Sequence, residues 1–444
     1  MAFDRRETTL LLIGDFCILV ASLWSALLLR NLAVPPLGYF EANLVPFLPM
    51  FLISLVVFYI AGLYEKQTRP IQRVMGVRIF GAQAATVAIA AILFFILPLS
   101  IAPKTILVLY LAVSVLAVSA WRSYRMTRET GEGNRMLAIL VGDSPAILEL
   151  FDEVQGNNRL LIRFVSRVAS IDKEEEMLTG ISSASASGAT ILVADLSDPR
   201  VRNGLPKWRS LMSGEVLIKD FAALYEEVFD RVPLEHLDTA QMLEVLSKKH
   251  VFYDGAKRIF DIALAFVGAV IAIPLVGIAA ILLHLENGAP FLYHERIGKS
   301  GRTFRITKLR SMLFDDHGNP ELQKKNRVTA LGRFLRKARI DELPQLWNVL
   351  KGELSFIGPR PELPKIAEVY EREIPQYWMR HLITPGLSGW AQIRDYDAPR
   401  GGADVERTRR KLSFDLYYLK HRSFGLDLAI TMKTLRALLA FSGT

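Results

Sequence analysis

Two adjacent carboxylates, Asp341 and Glu342, follow the basic run Arg336-Lys337-Ala338-Arg339-Ile340 and precede Leu343-Pro344-Gln345-Leu346. Carboxylates held among cations are what phosphate chemistry with a divalent metal requires. Arg333, Arg336 and Lys337 recur at three- and four-residue spacing, so they share one helix face. That helix is expected to start at Thr329, a residue type suited to an N-cap. A second helix is expected over Glu342–Leu350, with Pro344 in its first turn and Asp341 as its cap. A helix N-terminus favours anions, which would depress the pKa of Asp341 and keep it ionised. An ionised Asp can attack phosphorus, and a neighbouring Glu can hold Mg²⁺.

Other charged and rigid features surround this pair. Phe291–Tyr293 and Thr303–Thr307 read as strands around a Gly-Lys-Ser-Gly turn. If the second strand continues, Lys308 and Arg310 alternate onto one face, as a phosphate clamp or as a solvated strand edge. Gly358-Pro359-Arg360-Pro361 is a stiff turn that aims Arg360 in one direction. Trp390 and Gln392, in the turn-rich segment 384–392, suit either packing or contact with a nucleotide or sugar. Lys411–Lys420 and Leu426–Leu439 read as amphipathic helices.

The elements that must carry these residues begin in the membrane. Four apolar blocks, Thr9–Leu29, Leu44–Leu63, Ile79–Leu99 and Thr105–Trp121, each approach the ~20 residues needed to cross the hydrocarbon core. Arg5, Arg6, Lys66, Arg69, Arg73, Arg78, Arg122, Arg125 and Arg128 place both ends of this bundle in the cytoplasm. The first block lacks a small-residue cleavage site and reads as an anchor. The blocks are expected to lack buried charge pairs, Asp15 being the one obvious acid within them, which disfavours a transporter. The chain has 444 residues, 51% of them hydrophobic, and a net charge of +9. Beside apolar blocks, that charge points to a membrane surface rather than to nucleic acid. The lone Cys17 excludes a disulfide framework and Cys/His zinc spacing.

After residues 1–126, a small doubly wound α/β domain is expected over 134–250, with strands at Arg135–Val141, Leu160–Val168 and Thr190–Ala194. Gly142-Asp143-Ser144-Pro145 lacks the further glycines of a dinucleotide fingerprint, so a structural or regulatory role is preferred to nucleotide binding. The stretch Ser182–Gly188 reads as a loop. A fifth apolar block, Ile262–Leu283, has cations on both flanks and Pro274 near its centre. It is expected to enter one leaflet, break at Pro274 and return, as a re-entrant helix over 259–285. Lys257, Arg258 and Asp261 stand at its start, as interfacial anchors or with Arg258 paired to Asp261.

A catalytic domain is expected over 251–444, and from about Lys257 to the end the residues resemble the bacterial sugar transferases, the monotopic phosphoglycosyl transferases. The motifs are Lys257-Arg258-x-x-Asp261, the Pro-containing apolar helix, Lys308-Leu-Arg-Ser-Met312, Asp341-Glu-Leu-Pro-Gln-Leu-Trp-Asn-Val-Leu-Lys-Gly352, Ser355-Phe-Ile-Gly-Pro-Arg-Pro361, Pro385-Gly-Leu-Ser-Gly-Trp-Ala-Gln392 and Asp415-Leu-Tyr-Tyr-Leu419. A four-helix bundle with a Rossmann-like α/β domain resembles the long members, which initiate exopolysaccharide or O-antigen repeat units. The resemblance implies a mainly helical catalytic domain on the cytoplasmic face of the bacterial inner membrane. It implies transfer of a sugar 1-phosphate from a UDP-sugar to undecaprenyl phosphate, with release of UMP. Asp341 would be the nucleophile and Glu342 the Mg²⁺ ligand. Lys308, Arg310, Arg336 and Arg360 would bind phosphates. Beyond Gln392 the chain departs from the Asn-Gly-Tyr-Arg-Gly of many members, so the sugar is not named. The arrangement leaves room for a homodimer. The alternative is a membrane-anchored nucleotide sensor without catalysis, but a pure binding module has no need of an acidic pair beside four cations.

Overall fold

Apolar helices suit lipid because all their backbone groups are satisfied within the segment. In the computed structural model, which describes residues 2–64, 79–86, 88–89, 104–128, 135–157, 160, 162–169, 174–211, 217–247, 250–312, 327–395 and 404–439, three such helices come first. They are α1 (Ala2–Asn31), α2 (Leu37–Ile60) and α3 (Lys104–Arg128). Leu19, Leu23 and Leu27 of α1 recur every four residues and share one buried cluster with Phe47, Phe51 and Phe58 of α2 and Tyr110 and Val118 of α3. Gly14 permits close approach, since a Cβ there would lie 2.6 Å from Trp121 Cζ2. The expected helix over Ile79–Leu99 falls mostly outside the described residues; 79–86 are helical.

The bundle corrects one expectation. Asp15 and Arg122 form a buried ion pair. Tyr64 donates to Asp15 Oδ2 at 2.7 Å, and Arg122 Nη1 donates to the Leu63 carbonyl at 2.7 Å. Arg122 closes the fourth apolar block in sequence, but α3 continues past it to Arg128, so its side chain turns inward instead of ending in solvent.

The first unit, Met1–Phe229, also holds a parallel sheet in the order β2-β1-β3-β4. The strands are β1 (Met136–Val141), β2 (Ile162–Val168), β3 (Ile191–Ala194) and β4 (Leu217–Asp220); the sequence patterns had signalled three of them. Helices α4 (Pro145–Gly156), α5 (Glu174–Ala186), α6 (Pro199–Leu211) and α7 (Phe221–Phe229) alternate with the strands. Successive strand residues face opposite layers. Ala138 and Leu140 join Ile147 of α4 and Phe221 of α7, whereas Ile139 and Val141 join Ile181 of α5 and Trp208 of α6. Gly142, at φ +120, makes the first strand-to-helix turn, and Ser144 caps α4 by accepting from Ile147 N at 3.3 Å. The loop expected at Ser182–Gly188 is mostly the end of α5, because Ile181 and Ser185 are buried in its last turns.

The second unit is Asp230–Thr444, so the division falls before the expected boundary at 250. Residues after Phe229 leave the α/β layer: Val232 N donates to the Ser413 carbonyl at 3.1 Å, and Met242 of α8 (Thr239–Ser247) lies in the same buried cluster as Tyr377, Trp390 and Leu416. Next comes α9 (Val251–Asn287), 37 residues long. Pro274 does not end it, which corrects the expected break: the helix is continuous through that residue. An internal Pro costs about 3 kcal/mol, and buried Ala272 and Ala279 on either side supply packing against that cost. Small residues Ala265, Gly268, Ala272 and Ala279 form the packed stripe, while Ile259, Phe260, Phe266, Val270, Ile271 and Ile281 are exposed.

The rest of the unit is built on hairpin β5 (Phe291–Ile297)–β6 (Thr303–Leu309), α10 (Ala330–Lys337), a 3₁₀ turn at Ile340–Gln345 and α11 (Leu346–Lys351). A short parallel pair follows, β7 (Ser355–Ile357) with β8 (Gly386–Ser388), flanked by α12 (Pro364–Glu373) and α13 (Trp390–Arg394). Helices α14 (Val405–His421) and α15 (Phe424–Leu439) complete it.

Candidate active site

The acidic pair stands on the 3₁₀ turn rather than on a helix start. Thr329 caps α10, accepting from Gly332 N at 2.9 Å. Gly332 is needed there because a Cβ would lie 2.0 Å from the Ser311 carbonyl oxygen. After α10 the chain reverses at Arg339, whose φ of 56 lies in the left-handed region. Such a conformation costs a non-glycine residue roughly 1 kcal/mol or more. The turn then carries Asp341 into the interior at 9% exposure. Asp341 does not cap α11, and its Oδ1 is buried with no hydrogen-bond partner among the described residues.

Cations surround that carboxyl group. Lys308 on β6 donates to Glu342 Oε1 at 2.7 Å, and Arg339 reaches Glu342 Oε2 at 3.5 Å. Arg336 Nε donates to Ser311 Oγ at 2.7 Å, which orients its guanidinium. Burial, then the Glu342 charge, raise the pKa of Asp341, while Lys308, Arg336 and Arg339 act the other way. The expected depression is therefore reversed, because desolvation outweighs the cations. Glu342 goes the opposite way. Burial works to raise its pKa, but Lys308, with Arg360 and Arg339, holds it below the ordinary carboxylate value.

Arg360 is aimed by backbone contact. A Cβ on Gly386 would lie 2.1 Å from Gly358 N, and one on Gly389 would lie 2.4 Å from Gly358 O, so the two glycine-rich turns touch main chain to main chain. Gly358 N donates to the Ser388 carbonyl at 2.8 Å and Gly386 N to the Pro359 carbonyl at 2.9 Å. Behind the turn, Arg380 Nη2 donates to the Arg360 carbonyl at 2.9 Å and meets Asp415 Oδ2 at 2.8 Å. Lys411 pairs with Glu362. The Arg360 side chain stays exposed.

The remaining expected residues divide. Arg310 is half-buried, its N–H tied to the Pro290 carbonyl at 2.8 Å, and the cations acting on Asp341 are Lys308, Arg336 and Arg339. Arg258 does not pair with Asp261. It donates to the Val349 and Leu350 carbonyls at 2.6 and 2.7 Å, capping α11, while Asp261 Oδ1 accepts from Phe356 N at 3.2 Å. Lys257 pairs with Asp427 at 2.8 Å. These three residues therefore lock the start of α9 to the catalytic unit instead of to each other. Trp390 is taken up by packing: its indole N–H donates to the Asp230 carbonyl at 2.9 Å and its ring stacks on Tyr417. Gln392 keeps a buried Oε1 without a hydrogen-bond partner among the described residues. The segment where the chain departs from Asn-Gly-Tyr-Arg-Gly lies largely outside the described residues.

Arg339 and Ser311 escaped sequence reasoning. Arg339 stood inside the basic run, but its left-handed conformation has no signature in a non-glycine residue. Asn348, also missed, holds α11 to β6 by donating to the Arg305 carbonyl at 2.8 Å.

Residues 252–441 match the model of the bacterial sugar transferase family. The UDP-N-acetylgalactosamine-undecaprenyl-phosphate N-acetylgalactosaminephosphotransferase of Aeromonas hydrophila is 38% identical over 57% of this chain and 59% of its own length. The UDP-glucose:undecaprenyl-phosphate glucose-1-phosphate transferase of Caulobacter vibrioides is 39% identical over 43% of this chain and 72% of its own. The protein of the same name from Escherichia coli is 35% identical over 40% of this chain and 39% of its own. The match thus spans less than two thirds of the Aeromonas protein. The Caulobacter match covers more than two thirds of that relative. The chain belongs to the bacterial sugar transferase family.

Proposed function

We propose that this protein transfers a sugar 1-phosphate from a UDP-sugar to undecaprenyl phosphate and releases UMP. The observation that carries the reading is the Asp341 carboxyl group: buried, without a hydrogen-bond partner at Oδ1 among the described residues, and faced by Lys308, Arg336 and Arg339. A nucleophile needs a lone pair that no donor occupies. Asp341 would attack the sugar-bearing phosphorus, forming an acyl phosphate as the bond to UMP breaks. An oxygen of undecaprenyl phosphate would then attack the same phosphorus and return the carboxylate. Lys308, Arg336 and Arg360 would hold phosphate oxygens during both displacements. The product would open a repeat unit, as the first membrane step of exopolysaccharide or O-antigen assembly.

Two adjacent carboxylates fit Mg²⁺, which commonly takes one or two carboxylates together with substrate phosphates and water. Among the described residues no cluster of three or more His, Cys, Asp or Glu forms an all-protein metal site. Glu342, kept ionised by Lys308, would be the ligand. A bound Mg²⁺ would neutralise charge on the phosphate oxygens.

In this reading α9 is re-entrant, bending at Pro274 within the membrane without ending there. At ~1.5 Å per residue it is about 55 Å long, yet both ends engage the same unit. Arg258 caps α11, and Glu286 accepts from Thr329 Oγ1 at 3.1 Å. Opposite ends of a spanning helix would be separated by ~30 Å of hydrocarbon. The site would then lie on the cytoplasmic face of the inner membrane, where nucleotide sugars are available. The Rossmann-like sheet has Gly142 but no further phosphate-cradling glycines at its turn, which supports a structural or regulatory role for that domain.

The test is UMP release from UDP-sugars in undecaprenyl-phosphate vesicles with Mg²⁺. Asp341→Asn should lose at least about 10³-fold in turnover. Turnover within about tenfold of wild type would remove Asp341 from the reaction.

A further inference from the structure

A cavity lies in the catalytic unit, lined by residues other than the acidic pair. Its volume is about 520 Å³, and none of Asp341, Glu342, Lys308, Arg336 or Arg360 lines it. That is room for a small ligand or a headgroup. Lys257, Arg258, Lys299 and Arg422 line it, against Asp254 and Asp261.

The charges are arranged to leave the cavity basic. Asp261 is engaged by the Phe356 N–H, and Asp254 meets Arg422 Nη1 at 3.2 Å from a half-exposed position. The Arg422 side chain is largely buried, and its Nε has no hydrogen-bond partner among the described residues. Lys299 is exposed on the β5–β6 turn, with no ion pair among the described residues. Lys299 and the Nε side of Arg422 thus face one concave space.

Depth is set by α9. Tyr253, Asp254, Lys257, Arg258 and Asp261 line the cavity from one side of its first three turns. The same turns show Val251, Phe252, Ile259 and Phe260 exposed at 69, 83, 70 and 71%. The charge-free stretch of the helix starts immediately after Asp261. Polar on one side, apolar on the other and bordering an uncharged segment, these turns have the composition of a membrane interface. Phosphate groups of lipids lie at that level.

We propose that this cavity binds a phosphate group at the membrane interface, supplied by the headgroup of an anionic phospholipid, and that Lys299 and Arg422 are its main contacts. The site would anchor the first turns of α9 at a fixed depth. It requires that α9 enters the membrane but does not depend on the transfer reaction.

Amine acylation of the full-length protein in vesicles, read by mass spectrometry, tests it. Phosphatidylglycerol should slow Lys299 modification about five-fold relative to phosphatidylcholine, the effect of one basic residue facing an anionic lipid. Exposed Lys351 serves as the internal reference. Arg422→Gln should abolish the protection and Arg422→Lys retain it. Lys299→Glu, at an exposed turn, should lower phosphatidylglycerol retention in native mass spectrometry by a similar factor. Protection by inorganic phosphate in phosphatidylcholine vesicles would support the site with a soluble phosphate as its source. Equal Lys299 rates in all three conditions, or protection that survives Arg422→Gln, overturns the proposal.

Discussion

Asp15 in the helical bundle and Asp341 in the catalytic unit are both buried aspartates near arginines. They differ in what their oxygens touch. Asp15 accepts from Tyr64 and from two nitrogens of Arg122, so its charge is spent on holding α1 to α3. Asp341 Oδ1 accepts from no donor among the described residues, although Lys308, Arg336 and Arg339 act on it electrostatically. A buried polar group that is satisfied stabilises a fold, and one left unsatisfied raises its energy. The difference separates a structural carboxylate from one available to a substrate.

Substitution should pull the two apart. The largest effect expected is in Asp341→Asn, which should abolish UMP release without lowering the melting temperature, because a costly buried charge is removed. A lower melting temperature would mean that Asp341 also supports the fold. Asp15→Asn should do the reverse, destabilising the protein by about 3 kcal/mol in thermal unfolding, the cost of breaking a buried pair. Turnover per folded molecule should hold; if it falls with stability intact, the bundle does more than anchor.

Smaller effects sharpen the electrostatics. Activity requires deprotonated Asp341, whose pKa lies above its ordinary value. The acid limb of kcat/KM should therefore sit higher than an ordinary Asp allows. Lys308→Gln removes a cation that lowers this pKa and should move the limb further up; an unmoved limb would assign it to another group. The mildest prediction concerns Glu362. Although burial opposes it, Lys411 and Arg380 hold its pKa down to about 2, from 4.5. Its contribution to stability is present above pH ~4.5 and is lost as pH falls toward about 2. Glu362→Gln should flatten that part of the acid-unfolding profile, and an unchanged profile would show that Glu362 adds nothing there.

Much of the site was legible in the chain. Asp341, Glu342, Lys308 and Arg336 could be picked by residue type and spacing, because adjacent carboxylates beside regularly spaced cations are a local pattern. Arg360 was legible from Gly-Pro-Arg-Pro, whose stiffness is also local. Its support was not: Arg380 comes from the 3₁₀ turn at Tyr377–Leu382 and Lys411 and Asp415 from α14, and the three meet only when α14 packs behind the Arg360 turn. The partners of Arg258 failed for the same reason. Asp261 was near in sequence, but the open carbonyls at the end of α11 were nearer in space. Pro274 does not interrupt α9 as expected, because packing along both halves of the helix outweighs its local preference for an end.

Periodicity and charge were enough to establish the apolar helices, the alternating strands and helices, and the residue types at the site. These follow from local backbone geometry and from the separation of apolar from polar surface. Burial was decided only in three dimensions. It raised the pKa of Asp341 where a helix-start argument lowers it, brought Arg122 inward to Asp15, and left one carboxylate oxygen without a donor. Desolvation depends on every neighbour that excludes water, and those neighbours are gathered by packing rather than by order along the chain.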